Sequence, residues 1–247
     1  MDLPGLALCA RFAFPPNSLS LCGPSASFRQ HDLRWYAQEQ KLTKGTEELL
    51  SQFSTLFPYL CLIAKEARLN DAFNLKVVEA YWIGNNLTGM IKISNFVELL
   101  DLSLNLKKKI GKKDLVKIND KIALGATPHH SFHVLNIYKR TGYLDIPHTL
   151  ATMDACLINW GKVVEIKNHL LTIETQPLVI KNDKLLFGTK IQRKIRSQGD
   201  NDILFSKLNL GDRISYHWGY FCQKLSGNQL QNLVYYTNLS LKFANIY

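Results

Sequence analysis

Two stretches of this 247-residue chain place potential metal ligands where strands are expected. Cys156-Leu-Ile-Asn-Trp-Gly161-Lys-Val-Val-Glu-Ile166 sets a thiol at the entry to a run of β-branched residues. Gly211-Asp-Arg-Ile-Ser-Tyr-His217-Trp-Gly219 reads as a Gly-Asp turn feeding a strand that ends on an imidazole. A thiolate is a soft ligand suited to iron, whereas carboxylates favour harder ions, and a neutral imidazole can supply a second donor. The ordinary alternatives are a small buried apolar cysteine and a histidine bonded to a backbone carbonyl. Trp160 and Trp218 flank the two candidates and would shield them from water, although tryptophan in a small barrel usually packs as core.

A second group is Pro128-His129-His130-Ser-Phe-His133. On a helix His129 and His133 lie one turn apart, and on a strand they share a face, so either geometry permits chelation. Residues 132–138 are apolar and β-prone, Thr127-Pro128 looks like a turn, and no neighbouring acid completes an H-E-x-x-H pattern. Packed or hydrogen-bonded histidines are the default there. Cys22, in a Cys22-Gly-Pro24 turn, could meet this cluster in space.

The elements that must position these groups differ between the two halves. Residues 1–150 read as an all-α helical domain. Leu49, Leu50, Phe53, Leu56 and Phe57 follow helical spacing, Pro58 opens a further helix through Ile63, and Val77, Val78, Tyr81 and Trp82 form another face stopped by Gly84-Asn85-Asn86. More helix is expected over 94–106 and 112–124. Residues 153–247 read as short strands with turns at Asn168-His169 and Asn182-Asp183 and a longer loop at Gly199-Asp-Asn-Asp202. Ser226-Gly-Asn-Gln229 is a capping box opening a last amphipathic helix. The fold class expected is therefore α+β: helices first, then an OB-like β-barrel closed by a C-terminal helix.

A hydrophobic fraction of 46% with 20% charged residues belongs to a folded chain. Five scattered cysteines without a C-x-x-C pair argue against a disulfide framework or a zinc knuckle, and fit a reducing cytoplasm. No apolar run approaches the length of a membrane span, and the N-terminal stretch lacks the pattern of a signal peptide. The formal charge of +10 concentrates in 107–121, with seven lysines against two aspartates, and in 181–196, with six basic residues against Asp183. Such runs attract acidic partners but ordinarily just solvate a surface.

The Cys156 and His217 stretches together resemble the HypC hydrogenase-maturation chaperones. That family has a cysteine five residues before Gly-Lys-Val-Val, then a Gly-Asp turn leading to His-x-Gly, then a closing helix. The resemblance covers about residues 153–247. It implies that Cys156 is an iron ligand or partner contact and His217 a second ligand. The iron would carry cyanide and carbon monoxide transiently, and the partners would be a maturation scaffold protein and the hydrogenase large-subunit precursor. Two departures stand out: Cys156 is internal here, and Trp160 replaces a usual proline. The span between the motifs is also longer, which places extra chain in the basic hairpin and the 200–202 loop. Arg11-Phe-Ala-Phe-Pro-Pro-Asn17, Cys22-Gly-Pro24, Glu79-Ala-Tyr-Trp-Ile-Gly-Asn85 and the histidine segment are similar to an uncharacterised bacterial family associated with hydrogenase genes.

Three function classes follow. A carrier or scaffold chaperone in nickel-iron hydrogenase maturation uses both barrel motifs and needs no catalytic residue. A metal-dependent enzyme or metal-ligand synthesis factor would instead centre on His129, His130 and His133, with the metal activating water. A nucleic-acid-binding barrel ranks last, because the basic hairpin has few aromatics beyond Phe187. No Walker loop, nucleophile elbow or Ser-His-Asp pattern is present.

Overall fold

Apolar residues at helical spacing fold the first half as helices. The computed structural model describes residues 2–24, 33, 36, 41–137 and 147–246. Helix α1 (Leu3–Ser18) opens on Asp2, whose side chain accepts the Gly5 N–H at 3.0 Å, and it lies buried along most of its length. It is followed by α2 (Lys44–Ser51), α3 (Leu56–Glu66) and α4 (Leu75–Trp82), the last stopped by Gly84 at φ +90°. The expected helix over 94–106 divides into α5 (Ile93–Glu98), a π turn (Leu99–Ser103) and α6 (Leu106–Ile110), because Asn105 takes a left-handed conformation at φ +51°. Helix α7 (Lys112–Ala123) carries most of the first basic run. Its Lys121 is buried and donates to Asn136 Oδ1 at 3.1 Å.

The β-prone segment after Thr127 is helical instead. Short α8 (His130–Phe132) continues as a π turn (His133–Ile137), while residue 138 lies outside the described residues. Tertiary contacts override local preference here. Ser131 Oγ bonds Ser240 Oγ at 2.8 Å, and Asn136 donates to the Ser240 carbonyl at 3.1 Å, fastening the segment to the C-terminal helix. A further helix, α9 (Leu150–Cys156), starts on a Thr149–Thr152 capping box. Cys156 therefore ends a helix, three residues ahead of the first strand, rather than entering that strand.

The strands are β1 (Asn159–Lys167), β2 (Leu170–Thr175), β3 (Leu178–Lys181), β4 (Lys184–Phe187), β5 (Ile191–Arg196), β6 (Arg213–His217) and β7 (Tyr220–Lys224). Five of them close into a barrel in the order β1-β2-β5-β7-β6, with β5 and β7 parallel and the other pairs antiparallel. This is the OB arrangement, in which the third and fifth barrel strands run parallel. Alternating residues fill its core, among them Val163, Leu171, Ile173, Ile195, Ile214, Tyr216 and Phe221. The β3–β4 hairpin is an insertion between β2 and β5, turning at Asn182 and Asp183, both at positive φ. Short α10 (Ile203–Ser206) lies between β5 and β6, and α11 (Gly227–Ala244) follows β7 on the Ser226–Gln229 capping box.

The main apolar core does not stop at residue 150. Leu6, Phe12, Tyr59, Val78 and Phe132 share it with Ile158, Cys222, Leu233 and Phe243. One buried ion pair fastens the seam. Arg11 of α1 reaches Asp202 bidentately at 2.9 and 3.1 Å and also donates to the Cys222 carbonyl, with both charged side chains 1% exposed. Gln198 returns a bond to the Arg11 carbonyl at 2.7 Å. Among the described residues no helix is long and apolar enough to cross a membrane.

Candidate metal centre

His217 is the last residue of β6, and the turn after it sets the geometry. Trp218 and Gly219 lie at φ +50° and +78°, as a two-residue hairpin of type I′ requires, and the Trp218 N–H donates to the Ala155 carbonyl at 2.9 Å. Tryptophan rarely occupies this region, so the fold holds strain here. β1 pairs antiparallel with β6 as far as Asn159–Tyr216. The residues just before Asn159 consequently run beside His217 and its turn, which brings Cys156 to the histidine.

His130 arrives from the helical half. Its Nε2 lies 2.8 Å from the Cys156 carbonyl oxygen and its Nδ1 3.3 Å from the Tyr81 hydroxyl. One donor atom from each of His130, Cys156 and His217 lies within 4.8 Å of the other two. Bonds of about 2.0–2.3 Å to a shared tetrahedral ion put donors roughly 3.4–3.7 Å apart, so side-chain rotations have to draw the set inward. A soft thiolate with two imidazoles suits iron or zinc and not magnesium or calcium.

Hydrogen bonds fix which nitrogens can serve. His217 Nδ1 lies 2.8 Å from the Phe12 carbonyl oxygen. That nitrogen must carry the proton and donate, which puts the ring's lone pair on Nε2. In His130 the Nε2–H donates to the Cys156 carbonyl, so Nδ1 carries the lone pair; it accepts the Tyr81 O–H here and has to exchange that bond to ligate an ion. Burial first, and then neighbouring His217, holds the His130 pKa well below the usual imidazole range. His130 is thus neutral at pH 7, the form that binds metals. Burial likewise keeps Tyr81 a phenol.

Every signature of the helical half leads to this point. Phe12 supplies the carbonyl that orients His217, and the neighbouring Arg11 anchors α1 to the barrel. Trp82 packs against both imidazoles, with centroids 4.5 Å from His130 and 5.8 Å from His217, and stacks on Phe12 at 5.3 Å. A cavity of about 60 Å³ adjoins the three donors and is walled by Pro16, Cys22, Tyr81, Trp82 and Trp218 among others. The flanking tryptophans have separate fates. Trp218 lines the cavity, whereas Trp160 packs on Phe187 of the hairpin at 5.1 Å.

The other two histidines of the cluster stand outside the donor group. His129 caps α8, bonds Ser131 Oγ at 2.7 Å and stacks on Tyr236 at 5.4 Å. His133 also lines the cavity, with its Nδ1 3.3 Å from the Tyr59 hydroxyl. Only His130 of the three joins the donor group found among the described residues.

The chain belongs to a family of unknown function, DUF6390, which it matches over residues 1–247. No curated protein and no solved structure matches it. The match spans both the helical half and the barrel, in keeping with a site that draws on both. Sequence reasoning assigned no role to Tyr81, Trp82 or the Phe12 carbonyl. Their signal was the concentration of rare aromatic, proline and histidine residues in four short segments, which gives no indication of how those segments meet.

Proposed function

We propose that this protein is a metal-handling carrier that receives iron at His130, Cys156 and His217 and serves as a scaffold chaperone in nickel-iron hydrogenase maturation. One observation carries the reading: the thiol and imidazole of the two HypC-like motifs, far apart in the chain, converge within 4.8 Å beside an apolar cavity. The donor set fits soft cargo, and the cavity has room for an ion with a few small ligands such as cyanide or carbon monoxide. The chain's own part is to hold and shield. Phe12 and Arg11 keep His217 aimed, the Cys156 carbonyl keeps His130 in one tautomer, and Trp82 and Trp218 limit water. The partners expected from the same resemblance are a maturation scaffold protein and the large-subunit precursor.

A tagged full-length protein, purified without oxygen from cells producing hydrogenase, tests this directly. Substoichiometric iron together with a maturation partner is expected, both lost on Cys156→Ser and on His217→Gln. Neither iron nor partner in the unmodified protein would refute the proposal.

A further inference from the structure

The lone pair that His130 would give to an ion is already engaged. Its Nε2–H is held by the Cys156 carbonyl at 2.8 Å, so Nδ1 is the acceptor, and the Tyr81 hydroxyl donates to it at 3.3 Å. One nitrogen lone pair serves a proton donor or a metal ion, not both. An ion about 2.0 Å from Nδ1 would stand between that nitrogen and the phenol oxygen, which has to give way. Binding at His130 is therefore an exchange, in which the ion takes the place of the Tyr81 O–H.

The structure restricts where the displaced hydroxyl can go. Tyr81 is only 2% exposed, so bulk water does not supply a new partner. Its ring is gripped by Trp82 at 4.8 Å, Tyr59 at 5.2 Å and His130 at 5.5 Å, which limits it to small shifts. The side chain thus stays on the wall of the cavity that adjoins the three donors. Ala13, Phe53, Leu56 and Val134 of the same lining offer no side-chain acceptor. A buried hydroxyl left without a partner costs at least as much as the hydrogen bond it gave up. A bare ion leaves Tyr81 in that state. An ion that carries its own acceptor ligand into the cavity gives the O–H somewhere to donate.

We infer that Tyr81 is a specificity-determining residue of this site: it competes with a bare ion for His130 and favours an ion that arrives with a small, anionic, hydrogen-bond-accepting ligand. This inference rests on the metal-site reading above and deepens it, by naming the form of metal that the site accepts. The phenol keeps its proton throughout and exchanges one acceptor for another, and no redox step is involved. A cyanide ligand, whose nitrogen is a good acceptor, meets the requirement. Carbon monoxide, a poor acceptor, does not.

Cobalt(II) titration of the full-length, metal-free protein without oxygen, followed by azide titration of the loaded protein, tests the inference. The comparison is with Tyr81→Phe, which keeps the ring and removes only the hydroxyl. Bare cobalt is expected to bind Tyr81→Phe about three- to tenfold more tightly, the worth of one hydrogen bond no longer given up. Azide is expected to bind the loaded variant about three- to tenfold more weakly than the loaded unmodified protein, because its donor is gone. A merely structural role for Tyr81 would weaken cobalt binding rather than strengthen it. Cobalt binding by Tyr81→Phe that is no tighter, or azide binding that is no weaker, would overturn the inference while leaving the three-donor site standing. No cobalt uptake by the unmodified protein would overturn both. Should Tyr81→Phe fail to fold, the infrared azide band of the loaded unmodified protein decides. An exchangeable donor on the azide is expected to shift that band between H2O and D2O, and an unshifted band would overturn the inference.

Discussion

Replacing Asp202 by asparagine isolates the interaction that fastens the two halves together. Asn keeps the shape and an oxygen that can still cap α10, where Asp202 now accepts the Phe205 N–H at 3.1 Å. What it removes is the counter-charge of Arg11, whose guanidinium is 1% exposed and cannot reach water. Removing one member of a buried pair typically costs about 3–5 kcal/mol. Arg11 retains the Cys222 and Phe221 carbonyls and a cation–π contact with Phe221 at 5.2 Å, which places the loss near the lower end, about 3 kcal/mol. At about 2–4 °C per kcal/mol for a chain of this size, the melting midpoint should fall by roughly 6–12 °C. The assay is urea unfolding followed by tryptophan fluorescence and far-UV ellipticity, where a lower midpoint at constant slope reports lost stability. Arg11→Met combined with Asp202→Leu should recover most of the loss, since both charges then leave together. A loss below about 1 kcal/mol for Asp202→Asn, or a double variant as unstable as the single one, would refute the reasoning.

Gly84→Ala should cost more than about 2 kcal/mol in thermal unfolding, because φ is +90° and the new Cβ would fall 2.0 Å from the Tyr236 ring. Gly89→Ala, with nothing within 4 Å, should stay within about 0.5 kcal/mol. In metal-free protein the folded-state pKa values of His129, pushed down to about 3 by burial, and of His130, well below 6.5, lie under their unfolded value. The unfolded chain therefore binds more protons as pH falls below about 6.5, and stability should drop by roughly 1.4 kcal/mol per pH unit for each histidine. Urea midpoints between pH 7.5 and 5 measure this slope, and His129→Gln should reduce it; an unchanged slope would contradict the assignment. Cys156→Ser should cut metal retained after dialysis at least tenfold by elemental analysis, whereas the same change at exposed Cys61 should leave it unaltered.

Local signals predicted much of the scaffold. Pro58, Gly84 and the Ser226–Gln229 box lie at or near the helix ends they imply, and the Asn168 and Asn182-Asp183 turns separate the strands they should. The misreadings have a common cause. Residues 132–137 are β-prone in isolation but become helical because Ser131 and Asn136 bond the Ser240 region of α11. Cys156 was read into a strand because the β-branched run follows it closely, yet Thr149 caps a helix that carries it. In both places partners distant in sequence decided the outcome.

The site divides along the same line. By itself the sequence determined the kinds of donor available, a few thiols and imidazoles in rigid, aromatic-rich segments, and the two-part division into helices and strands, because composition and periodicity are local properties. Only the tertiary structure selected His130 over His129 and His133, and brought Cys22 to the cavity wall that Cys156 and His217 share. That choice depends on the β1–β6 register, on the Arg11–Asp202 pair holding α1 against the barrel, and on the direction in which α8 docks. Each is a contact between segments far apart in the chain, and residue spacing carries no measure of such distances.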